Sequence, residues 1–216
     1  MIEEASRVLD FLPLRKSEAE EEYVTYLWKS FEILAEKKES SVQSFSLTAF
    51  HLLFMLAVQY RVLRISTDNP SDYKKAFTLN KPRKENKHVL SPTLVTDLSL
   101  IPESPIFHMF ELVDLEDVIL NDCKKIIKRR NTEFMHAGGN IPAEPELHID
   151  NCLQKLDSIQ ERFLEQNNKI AEGWLSELEE FEEICEFVEK RLYESRLTPA
   201  DFQSGLLKDS FSTCFE

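Results

Sequence analysis

The side chains best suited to chemistry crowd into one stretch, Lys128-Arg129-Arg130-Asn131-Thr132-Glu133-Phe134-Met135-His136-Ala137-Gly138-Gly139. Two guanidinium groups, a carboxamide, a carboxylate and an imidazole fall within eight residues, Arg129 to His136. An imidazole moves protons near neutral pH, and a fixed guanidinium stabilises the charge of a pentavalent phosphate. Together they suit RNA cleavage by the ribose 2′-hydroxyl, a reaction that requires neither metal nor cofactor. In an unbroken helix Arg129 and His136, seven apart, share a face, whereas Arg130, six before His136, is turned away. A kink near Asn131, the end of the helix, or a second copy facing the first would bring Arg130 and His136 together. His136 falls in the last turn of its predicted helix, where the carbonyl ends favour the imidazolium. Glu133 can pair with Arg129 or orient His136, at spacings of four and three. The same residues would also serve as a capping histidine, solvated arginines and a surface ion pair.

The elements that must position this stretch read as helices. Ser17 can cap a helix over 17–39, with Glu18 to Glu22 loading its first turn and an apolar stripe of Tyr23, Leu27, Phe31 and Leu34. A second helix, about Ser44 to Ile65, is apolar nearly all round in its first half and predicts the central core helix, with His51 as a core residue. From Ser66 to Pro105 five of the 9 prolines break any helical period, which predicts an irregular segment over about 66–110 with a short extended stretch near Leu94 to Leu100. A third helix from about Leu112 to Met135 buries Leu115, Val118, Ile119, Cys123, Ile126 and Ile127, and Gly138-Gly139 and Pro142 end it. From Leu147 to Leu192 an alternating three/four spacing predicts one very long helix or two that meet near Asn167 to Gly173. The expected architecture is all-α: a single domain over residues 1–216, a bundle of four or five main helices with a long C-terminal helix and an irregular basic insertion.

Composition narrows the function. Only 4 glycines occur in 216 residues, and no P-loop or dinucleotide fingerprint can be written. Four widely spaced cysteines, Cys123, Cys152, Cys185 and Cys214, form no C-x-x-C and read as buried thiols of a reducing cytoplasm. The N-terminal residues show no signal-peptide pattern, and the most apolar run, Phe45 to Val58, is 14 residues long, shorter than a bilayer span, so no membrane association is expected. Glu144, Glu146 and His148 could be drawn as metal ligands, but Pro142 and Pro145 make this a connector, and no metal site is expected.

The net charge of −13 argues against general nucleic-acid binding by bulk charge. Yet thirteen of the 26 basic residues lie in two short segments, from Arg61 to Lys87 and from Lys124 to Arg130. Arg61, Arg64, Lys74, Lys75, Lys81, Arg83, Lys84 and Lys87 in the first, and Lys124, Lys125 and Lys128 with Arg129 and Arg130 in the second, could neutralise phosphates or form a solvated face.

Arg130-Asn131, followed after four intervening residues by His136, resembles the R-x(4–6)-H motif of HEPN domains, in which a polar residue, often Asn, follows the arginine. The motif of that family lies near the end of a core helix in an all-α bundle with a long helix following, as predicted here. The resemblance implies a metal-independent endoribonuclease that acts as a homodimer with a composite site at the subunit interface. His136 would be the acid and base, Arg130 the transition-state clamp, and Asn131 an orienting residue, with Arg129 and Glu133 in support. Products would carry 2′,3′-cyclic phosphate or 3′-phosphate ends. The setting would be a toxin–antitoxin or antiviral defence system, with RNA as substrate and a regulatory antitoxin or defence-complex partner. Toxins of this family that are silenced by nucleotidylation carry a tyrosine two residues after the histidine, where Gly138 stands here. Two other readings are a non-catalytic helical module that binds nucleotide or nucleic acid, and an adaptor that pairs through its C-terminal helix.

Overall fold

The computed structural model describes residues 1–37, 40–79, 87–133, 145–178 and 191–203. The fold is all-α, with no strand among the described residues. Helix α1 (Ile2–Ser6) runs into a 3-10 turn, Arg7–Phe11, and α2 covers Glu18–Ala35. Ser17 caps α2 as expected: its hydroxyl accepts the Glu20 N–H, and the Glu20 carboxylate accepts the Ser17 N–H at 2.9 Å. The expected stripe holds at Leu27 and Phe31, while Val24 and Ala35 take the buried places expected for Tyr23 and Leu34. Val24, Leu27, Phe31 and Ala35 are buried, whereas Tyr23 is 47% exposed.

Helix α3 (Ser40–Asp68) is the core helix, packed along α2 and touched by α8. It outruns the expected 14-residue apolar stretch: Phe45–Asp68 is long and apolar enough to cross a bilayer, but 83% of its apolar window is buried inside the protein, as in a core helix. In its later turns Arg61 and Arg64 find buried partners.

The segment expected to be irregular is largely helical where it is described. Residues 66–68 finish α3, and α4 (Pro70–Leu79) begins on a proline. Proline suits the first helical position, where its missing N–H needs no partner. The buried Tyr73 donates its hydroxyl to the Val89 carbonyl at 2.9 Å, tying α4 to the short α5 (Lys87–Leu90). The expected extended stretch is instead a 3-10 turn, Val95–Leu100, opened by the Asp97 carboxylate accepting the N–H groups of Thr93 and Leu94. A one-turn helix α6 (Glu103–Ile106) and a 3-10 turn (Phe107–Val113) follow.

Asp114, in the left-handed region at φ 54°, ends that turn, so α7 (Asp117–Glu133) begins later than Leu112. Leu115, Cys123, Ile126 and Ile127 are buried as expected and Leu120 joins them, but Val118 is 69% exposed. Two helices then follow, α8 (Pro145–Glu161) and α9 (Leu164–Leu178), which break at Arg162-Phe163 rather than at Asn167 to Gly173. Pro145 therefore opens a helix rather than a connector, and His148 is 1% exposed inside it. Of the five helices of fifteen residues or more among the described residues, α2, α3, α7 and α8 line one hydrophobic core reaching from Ala5 to Ala200, and α9 follows α8 without adding a side chain to it.

Candidate active site

Arg130 stands in the last turn of α7, with its side chain 15% exposed. Its guanidinium is held by Glu103, the first residue of α6, and the same carboxylate oxygen lies 3.5 Å from His51 Nε2 on α3. Three elements distant in sequence thus meet on one carboxylate. Burial alone would raise the Glu103 carboxyl, but the hydrogen bond from His51 and the Arg130 guanidinium outweigh it and hold the group below the usual carboxylate range. An ionised carboxylate only accepts, so His51 Nε2 is the protonated nitrogen and Nδ1 carries a lone pair. That Nδ1 is buried and takes no hydrogen bond among the described residues. Burial pushes His51 down, and the Arg130 charge acts in the same sense against the pull of Glu103, so the imidazole is neutral at pH 7.

Behind this trio lies His148 of α8, its ring centroid 6.5 Å from that of His51 and its Nε2 3.7 Å from Cys152 Sγ. Burial pushes His148 down to about 3, with His51 and the Arg129 guanidinium adding to the shift. At neutral pH the cluster therefore holds two uncharged imidazoles and one carboxylate beside the two guanidinium groups of Arg129 and Arg130. Cys123 and Cys152 are free and buried; burial pushes Cys123 up to about 12 and Cys152 upward, so both remain thiols.

Of the residues singled out from the sequence, Arg130 lies in this cluster and Arg129 is half-buried beside it. Asn131 is half-buried in the same last turn. Glu133 ends α7, its side chain outside the description, and His136 and the Gly138-Gly139 stop lie outside the described residues. Lys128 is exposed, Lys124 is half-buried, and Lys125 reaches Asp122 at 2.9 Å. Lys81, Arg83 and Lys84 lie outside the described residues, and Lys87 opens α5 with its side chain outside the description. Cys185, Cys214 and Glu144 also lie outside them. Glu103 escaped sequence reading because nothing in linear spacing links it to Arg130, 27 residues away.

Arg61 and Arg64 contribute nothing to a basic face, which corrects the expectation for both. Each is 2% exposed, and Asp201, fully buried in the 3-10 turn Pro199–Phe202, takes Arg61 at 3.0 Å and Arg64 at 3.3 Å. Gln160 and Thr198 complete the partners of Arg61, Asn167 accepts from Arg64, and both guanidinium carbons sit 5.1 Å from the Phe163 ring centroid. Burial disfavours the Asp201 charge, but the two arginines outweigh it and hold the carboxyl well below its usual range. The cluster ties the C-terminal segment to α3 and to the α8–α9 break.

No group of three or more His, Cys, Asp or Glu side chains among the described residues is arranged to hold a metal ion. In comparisons with known proteins, no family model, curated protein or solved structure matches this chain.

Proposed function

We propose that this protein is an endoribonuclease of the HEPN type, cleaving RNA without a metal through Arg130 and His136 in a composite site between two copies of the chain. The observation that carries the reading is the state of Arg130. Its guanidinium is mostly buried, anchored on Glu103 beside a neutral imidazole, and six residues upstream of His136. A guanidinium fixed in advance stabilises a developing phosphorane charge with little reorganisation, which is where such catalysis gains most. His136 would move the proton of the attacking 2′-hydroxyl, Asn131 would orient the substrate, and Lys124, Lys125 and Lys128 on the same helix would meet flanking phosphates. A toxin or defence setting, with a regulatory partner, belongs to this reading through the motif's resemblance.

The test is cleavage of total RNA and tRNA by the purified chain in excess chelator, with His136→Ala and Arg130→Ala beside the wild type. The expected result is cleavage with 2′,3′-cyclic phosphate ends, lowered about a hundredfold or more in each folded variant. Cleavage that persists in both variants would overturn the assignment. One observation favours a second reading: Glu103 already neutralises Arg130, as in a structural ion pair. Salt-sensitive RNA binding by a folded chain that cuts nothing would select that reading, a non-catalytic nucleic-acid-binding module.

A further inference from the structure

Helix α2 carries two stripes. Val24, Leu27, Phe31 and Ala35 face the core. Beside them Ala19, Tyr23, Tyr26, Ser30 and Ile33 recur at alternating spacings of four and three. That alternation makes the narrow seam of a helix that packs lengthwise on another helix. Here the seam is open to solvent: Tyr23, Tyr26 and Ile33 are between 47% and 67% exposed. Phe45 and Leu52 of α3, and Leu94 ahead of the 3-10 turn Val95–Leu100, are exposed along the groove between α2 and α3 and the cleft that adjoins it.

These six side chains present roughly 600 Å², taking about 200 Å² for a large residue fully in water. Two copies that cover this face remove about 1,200 Å² in all, the lower end for a specific interface. Aromatic side chains at the centre and charge confined to the edge are the composition of such interfaces.

The charges at the edge fit a second copy. Glu22 and Lys29, seven apart and each one position before a seam residue, are exposed, and neither forms an ion pair among the described residues. A second α2 laid antiparallel on the seam puts Tyr23 against the partner's Tyr26 and Ala19 against the partner's Ser30. The same register sets Glu22 beside the partner's Lys29, and two-fold symmetry repeats every contact. Two aromatic layers then fill the centre, and the small residues on either side let the helices close. A parallel pair would instead stack the acidic ends around Glu18, Glu21 and Glu22 against their own copies. With a net charge of −13 the chain repels itself in general, so opposite charges that meet on one face fix the register.

We propose that two copies of this chain pair antiparallel through the α2 seam, Glu22 of each opposite Lys29 of the other. Ala19 and Tyr23 line a cleft with Glu103, which holds Arg130, so the second copy borders the candidate site. The bearing of the pairing on catalysis rests on the ribonuclease reading; the pairing itself does not.

Sedimentation velocity of the full chain at up to about 100 μM should show a dimer. Tyr26→Glu, exposed in the single chain, should leave a monomer with an unchanged circular-dichroism spectrum. Glu22→Lys and Lys29→Glu each set like charges at both contacts and should weaken the dimer about tenfold. An equimolar mixture of these two variants should recover the wild-type affinity, because every contact again joins opposite charges. The proposal is overturned if the wild type is a monomer at about 100 μM, if the dimer survives Tyr26→Glu, or if the mixture pairs no better than either variant alone. RNA cleavage is scored separately: a dimer that passes these tests and cuts nothing keeps the pairing and removes the ribonuclease reading.

Discussion

Acidification from about pH 7.5 to about pH 5 should cost this protein about 2 kcal/mol of stability through His148 alone, and replacing His148 by glutamine should remove that cost. His148 is 1% exposed on α8, and burial, with His51 and Arg129 adding, pushes its imidazole down to about 3. In the unfolded chain it returns to its ordinary value near 6.5. Above that value both states are neutral and His148 gives stability no pH dependence. Below it the unfolded chain takes up a proton that the folded chain refuses, so stability is lost as the pH falls from about 6.5 toward 3. At pH 5 the gap is about one and a half units, and at about 1.4 kcal/mol per unit the loss is about 2 kcal/mol. Buried His51, also pushed down, adds to the wild-type loss in the same sense. Glu20, Glu103 and Asp201 are held low, so their contributions are present above their unfolded values near pH 4 and are lost only below this window. Urea unfolding followed by far-UV circular dichroism at several pH values, at constant ionic strength, measures the effect; His148→Gln should lose about 2 kcal/mol less than wild type over the range. An identical pH dependence in both chains, or an NMR titration placing His148 near 6.5, would refute the burial argument.

Two further perturbations test the buried charges. Asp201→Ala leaves two guanidinium groups buried without their carboxylate, and should cost about 3–5 kcal/mol in urea unfolding; a cost below about 1 kcal/mol would mean that the C-terminal segment does not need the ion cluster. Glu103→Gln keeps an acceptor for Arg130 but removes the charge that anchors it in a partly exposed pair, and should cost about 1–2 kcal/mol. An unchanged urea midpoint would show that the pair contributes nothing to folding.

Much of the helical framework was legible because it rests on local rules. The Ser17 cap, the nearly all-round apolar first half of α3 and the buried Cys123, Ile126 and Ile127 of α7 follow from the residues along one element, and these held. Local rules failed where a partner from elsewhere decided the outcome. Tyr23 was expected inside beside Leu27 and Phe31, but Val24 takes that buried place and Tyr23 is exposed, while Glu20 one turn earlier is buried against Ser17 and Arg196. The prolines between Ser66 and Pro105 read as breakers, yet Pro70 starts a helix that Tyr73 ties to Val89. Arg61 and Arg64 counted as surface cations, because a sequence displays charge without showing that Asp201, 140 and 137 residues away, lies against both. His51 was legible as a core residue, and Arg130 as a group with chemical potential. That they share Glu103 was decided by packing: burial removes competing water, and only then does one carboxylate fix an arginine and an imidazole contributed by distant helices. Local spacing was enough for α2, α3 and α7 and for the types of group available for chemistry, but not for the helices between 66 and 110 or for the break between α8 and α9. The tertiary structure decided which charges are buried, which are paired and which remain open to a ligand, because these depend on long-range contacts and desolvation that no local spacing encodes.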